Sequence, residues 1–125
     1  MKRNWDTIRS ILTSLEEKNE TKSVLRLKDF PSEQAAEISY HVELLIEAGL
    51  INGSMSKEMG PHVHSFNIVR LTWEGHEFLD TIRSDTVWEN TKKSFISHGV
   101  SMTFDLVKQV AIDITTSYLK TTGIS

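Results

Sequence analysis

His62 and His64 stand two residues apart in a stretch that reads as a strand, so their side chains share one face, as a metal-ligating pair would. A tetrahedral site needs further donors. His41 and His76 fall on separate predicted helices, and the chain has no cysteine. The pair therefore reads as two hairpin histidines, and no metal is expected. Among acids, Glu74 and Glu77 lie three apart on a predicted helix, as do Glu77 and Asp80. Such runs usually form a solvated face, and nothing nearby pairs one of them with a partner for acid–base work. A phosphate-cradling glycine loop, a zinc-protease His-Glu-x-x-His and a Gly-x-Ser-x-Gly nucleophile turn are all absent from the sequence. The expectation is a binding protein, not an enzyme, with no cofactor. His41 lies beside the apolar face of its helix, where a packing or hydrogen-bonding role is expected.

Trp5, Trp73, Trp88, Phe78, Phe95 and Phe104 could form a ligand pocket or a base-stacking platform. All fall on predicted helices, and packing into the core is the expected role.

The periodicities predict the elements that position these residues. Trp5, Ile8, Ile11, Leu12 and Leu15 recur at helical spacing over 4–18, with Asn4 able to cap. Residues 24–28 alternate as a short strand, and Phe30-Pro31-Ser32 breaks the chain, with Ser32 as a candidate cap. Residues 33–48 place Ala35, Ile38, Val42, Leu45 and Ile46 on one face, and Gly49 closes the helix. Leu50–Met55 and Val63–Leu71 read as two strands joined by a turn-rich tip. Helices at about 73–84, 86–97 and 102–120 complete the order. The fold class is mainly α with a small β-hairpin.

Two stretches make that order specific. Ile38-Ser39-Tyr40-His41 through Ala48-Gly49-Leu50-Ile51 resembles the recognition helix of ArsR- and MarR-type winged-helix repressors, and Leu71-Thr72-Trp73-Glu74-Gly75 resembles their exit from the second wing strand. Thr72 would cap the next helix. The whole chain also resembles a family of short phage and prophage proteins of unknown function. The shared features are Lys2-Arg3-Asn4-Trp5-Asp6, the Tyr40-to-Leu50 core, Leu71 to Asp80, Thr86-Val87-Trp88 and Thr103-Phe104-Asp105. The resemblance implies a winged helix in a mobile-element context and assigns no activity. On this reading residues 1–84 form a winged-helix domain with its wing at about 50–71, and 85–125 form a C-terminal helical extension expected to pack on the same domain.

Charge bears on what such a scaffold binds. The net charge is −3, and residues 31–50 hold four Glu with no Lys or Arg. With Ile38 facing the core, the outward stripe of helix 33–48 is Glu33, Ala36, Ser39, Tyr40, Glu43 and Glu47, flanked by Glu37. Phosphates would be repelled there, and the counterion release that dominates DNA affinity would be lost. The expected partner-binding set is Glu33, Ser39, Tyr40, Glu43, Glu47, Met55, Lys57 and Met59, taking a host or phage protein, for instance a defence nuclease to be inhibited. The alternative is a DNA-binding regulator using Lys2, Arg3, Arg9, Lys18, Lys22, Arg26 and Lys28. On the last helix Phe104, Val107, Ala111, Ile114 and Tyr118 follow a 3-4-3-4 spacing, and the wide apolar arc predicts a homodimer interface. No stretch reads as a signal peptide or membrane span, so the cytoplasm of a bacterial host is the expected location.

Overall fold

The computed structural model describes residues 1–18, 23–56 and 64–121. The chain divides into two compact units, Met1–Glu77 and Phe78–Ser125. The division falls inside a helix.

In the first unit, α1 spans Trp5–Glu16, and the Asn4 side chain accepts from the backbone N–H groups of Asp6 and Thr7 at 3.0 and 3.2 Å. That cap satisfies two of the donors a helix start leaves open. Ile8, Ile11, Leu12 and Leu15 form its buried face. Strand β1 is only Leu25–Arg26. The chain then makes two 3-10 turns, Leu27–Asp29 and Ser32–Gln34, before α2 at Ala35–Glu47. Ser32 is therefore not the cap of this helix. The cap position is Gln34, whose N–H is already bonded to the Pro31 carbonyl at 3.0 Å.

α2 ends at Gly49, where φ is +76° and the Leu50 N–H returns to the Leu45 carbonyl at 3.0 Å. Glycine fits that left-handed turn without a Cβ clash. Strand β2, Ile51–Met55, and strand β3, Phe66–Leu71, pair antiparallel, with a register shift at Asn52/Gly53. The sheet order is β1-β3-β2, with Leu25 opposite Ile68 and Arg26 opposite Asn67. Phe66, Ile68 and Leu71 are buried, whereas Asn67, Val69 and Arg70 face outward.

α3 covers Trp73–Ile82. Thr72 Oγ1 accepts from the Gly75 N–H at 3.0 Å and donates to the Gly49 carbonyl at 2.6 Å, so one side chain caps α3 and ties it to the end of α2. In the second unit α4, Asp85–His98, is capped by Ser84 and closed by Gly99 at φ +64°, and α5 spans Phe104–Thr121. Phe78 and Phe104 pack at 4.7 Å between ring centroids, and Trp88 and Phe95 are buried. The protein is mainly helical with a small three-stranded antiparallel sheet.

Candidate interaction surface

The outward side of α2 is acidic. Glu33, on the turn before the helix, and Glu47, at its end, are exposed, while Tyr40 and Glu43 are partly buried. Tyr40 stands edge-on to the His41 ring at 5.5 Å. Glu37 is partly buried and accepts a hydrogen bond from Thr7 Oγ1 at 2.6 Å, which fastens α2 to α1.

Ser39 departs from the outward placement. It is 1% exposed, donating to the His64 carbonyl and accepting from the His64 N–H, both at 2.9 Å. Its hydroxyl clamps α2 to the chain entering β3, so Ser39 is a structural residue and not part of a contact surface. The buried face of α2 is wider than the Ile38–Val42–Leu45 stripe, because the hairpin folds over one flank of the helix. Met55 is partly buried. Lys57, Met59 and His62 lie outside the described residues.

His41 is fully buried. Its Nε2 accepts from the Asn4 N–H at 2.7 Å, and its Nδ1 lies 2.7 Å from the Glu37 carbonyl. The acceptor role of Nε2 leaves the hydrogen on Nδ1, where it is donated to that carbonyl. His64 Nδ1 is enclosed with no hydrogen-bond partner among the described residues. No group of three or more His, Cys, Asp or Glu that could hold a metal ion occurs among the described residues.

Trp73 departs from its expected core position and is 77% exposed. The reason is helical geometry. Gly75, Phe78, Leu79 and Ile82 are the buried positions of α3, and at about 100° per residue Trp73 lies opposite them. Trp73 thus shares the polar side with Glu74 and Glu77, both exposed, at the corner where Thr72 holds α3 against the end of α2. A helical wheel drawn on 73–82 alone would have found it.

The basic residues expected to serve a DNA contact sit in different environments. The Arg3 guanidinium sits over the Trp5 ring at 5.2 Å, Lys18 Nζ donates to the Ser23 carbonyl, and Arg26 Nε donates to Asn67 Oδ1. Lys2 and Lys28 are exposed, Arg9 is partly buried, and Lys22 lies outside the described residues.

On α5 the 3-4-3-4 stripe turns inward. Val107 and Ala111 have no exposure, Phe104 and Ile114 are partly buried, and the Tyr118 hydroxyl accepts from Asn90 Nδ2. Within the expected dimer stripe, Val107 and Ala111 are thus packed inside their own chain. The exposed apolar side chains of α5 are Leu106, Ile112, Tyr118 and Leu119, with Leu106 on one flank of the stripe and Ile112 and Leu119 on the other.

The fold and the surface thus define a mainly helical protein with a small antiparallel sheet and an acidic, tryptophan-bearing corner. A family described as "Hypothetical protein (DUF2513)" matches residues 2–101, and the chain belongs to that family. A protein of Haemophilus influenzae described as "Uncharacterized protein" is 43% identical over 122 residues, spanning 95% of this chain and 99% of that one. No solved structure matches. No helix among the described residues is long and apolar enough to cross a membrane.

Proposed function

We propose that this is a non-catalytic winged-helix protein of phage or prophage type that binds a basic protein surface in the bacterial cytoplasm. The winged-helix reading rests on the order α1-β1-α2-β2-β3, with the sheet order β1-β3-β2 and α2 placed immediately before the hairpin. In that reading α2 occupies the position of a recognition helix, β2 and β3 form the wing, and two 3-10 turns stand where a further helix is usual.

The observation that carries the partner is the corner formed by α2 and the start of α3. Exposed Glu47, at the end of α2, and exposed Glu74 and Glu77, on α3, share this corner with Trp73, while partly buried Glu43 and Tyr40 and, at the far end, exposed Glu33 extend the acidic side back along α2, and residues 31–50 bring no positive charge. A phosphate backbone is repelled by such a surface. A basic protein surface is attracted to it, and tryptophan is among the residue types enriched as anchors of protein interfaces. A host or phage factor with a basic groove, such as a nuclease, has the complementary chemistry.

The test compares capture of partners from the host bacterium by the wild-type chain, Trp73→Ala and the Glu43→Lys/Glu47→Lys double variant. Trp73→Ala is expected to weaken a specific partner by roughly thirtyfold, the equivalent of a hot spot worth about 2 kcal/mol. The double reversal should lose the same partner and gain salt-sensitive, non-specific DNA binding. The reading fails if the wild-type protein binds one DNA sequence at physiological salt and Tyr40→Ala abolishes that binding, which would make the protein a repressor.

A further inference from the structure

Proline shapes the chain between β1 and α2. Pro31 has no N–H to give a helix, and Phe30 before it is extended at φ −115°, ψ 159°. Residues 27–34 therefore form two separate tight turns, which do not fill the space beside the start of β3. What is left is an open cavity of about 600 Å³, with Leu27, Phe30, Ala35 and Phe66 on its apolar wall and Arg26 and Lys28 at its edge. Phe66 is 1% exposed and backs the partly buried Phe30 ring, which stands edge-on to it at 5.9 Å.

The charge at this cavity has one sign. Among the described lining residues the ionisable side chains are Arg26 and Lys28, both exposed. Arg26 is held in place, because its Nε donates to Oδ1 of Asn67, its cross-strand neighbour, at 3.1 Å. Asp29 is not on the lining and turns back on its own turn, accepting from the Arg26 N–H at 2.8 Å. Glu33 is exposed and also off the lining. α2 begins at Ala35 on the same wall, and its cap residue Gln34 makes no side-chain cap bond.

We propose that this cavity binds a small amphipathic monocarboxylate. An aromatic or short acyl body would lie against Leu27, Phe30 and Ala35, and the carboxylate would meet Arg26 and Lys28. The volume is that of a small-molecule pocket, and an apolar wall with a few convergent polar groups is the usual composition of one. Arg26 supplies the planar donor that recognises a carboxylate, and Lys28 adds a second charge. This inference is independent of the acidic corner and of the partner it would take.

The experiment titrates the full-length protein with phenylbutyrate, phenylbutanol and acetate, following backbone amide NMR signals. Phenylbutyrate is expected to give saturable shifts at residues 26–30 and 65–67, phenylbutanol to bind about tenfold more weakly, and acetate not to saturate. Arg26→Gln/Lys28→Gln should reduce phenylbutyrate affinity to that of the alcohol and leave the alcohol unchanged. If the double variant loses the wild-type spectrum, Lys28→Gln decides, since this side chain is exposed and its loss should weaken the carboxylate alone. Equal affinity for acid and alcohol, saturation by acetate, shifts confined to other regions, or no saturable binding of phenylbutyrate would each overturn the proposal.

Discussion

His41 and Ser39 show how a polar residue on an apolar helix face becomes structural. Both are buried, and both offer their hydrogen-bonding groups to backbone and not to solvent or ligand. His41 closes a loop between the first residues of the chain and α2, because its acceptor is matched to the N–H of Asn4, the residue that itself caps α1. Replacing it with alanine leaves that N–H without its partner and opens a cavity. His41→Ala should cost about 3 kcal/mol, and Ser39→Ala, which strands two backbone groups of His64, about 2 kcal/mol. Urea unfolding monitored by circular dichroism measures both. A change within a few tenths of a kcal/mol for either would mean that water replaces the side chain there. The hydrogen-bonding role of His41 follows from its position beside the apolar stripe. Hydrophobic residues alone put Ser39 on the outward side of α2, but a hairpin packing on one flank buries a hydroxyl as readily as a methyl once the backbone offers it two partners.

At the scale of elements, the parts with clean period or clear punctuation were legible. α1 shows Asn4 and four apolar residues at helical spacing, α2 ends on Gly49, and α3 follows a Thr72 cap. The stretch 24–34 was not legible, because its alternation predicts a five-residue strand whereas pairing with β3 extends only over Leu25 and Arg26. The turns there are imposed by Pro31 and by where α2 must start, which local pattern does not express. Two glycines that look alike in sequence also prove unlike in the fold. Gly49 has a positive φ and open space where a Cβ would stand, whereas a Cβ on Gly75 would fall on the Leu50 carbonyl oxygen. Gly49→Ala should therefore cost only the backbone strain of a left-handed residue, about 1 kcal/mol. Gly75→Ala should push α3 off the α2–β2 corner and cost about 3 kcal/mol. Thermal midpoints of the two variants compare them directly, and equal losses would show that α3 shifts to accommodate the methyl group.

For the whole molecule, the question is what the apolar arc of α5 covers. An arc wider than one core needs predicted a second chain, but the arc is divided by depth. Its centre, Val107 and Ala111, is fully buried, and its exposed members sit on separate flanks with Lys108 and Asp105 beside Ile112 and Leu119 and with Asp113 and Ser117 beside Leu106. A dimer seam would need one continuous strip of exposed apolar side chains. The interior position of Val107 makes a sharper forecast than the exposed flanks do. Val107→Asp should destabilise the fold by several kcal/mol, about 3 or more, because it places a carboxylate in the apolar interior. That loss should be the same at every protein concentration, and the unfolding midpoint of the wild-type protein should likewise not move on dilution. An obligate dimer behaves otherwise, since its stability cannot be separated from protomer concentration. Chemical unfolding across a wide concentration range, combined with the mass in solution, distinguishes the two cases. A wild-type dimer that Val107→Asp converts into a fully folded monomer would place this stripe at a subunit interface and overturn its assignment to the core.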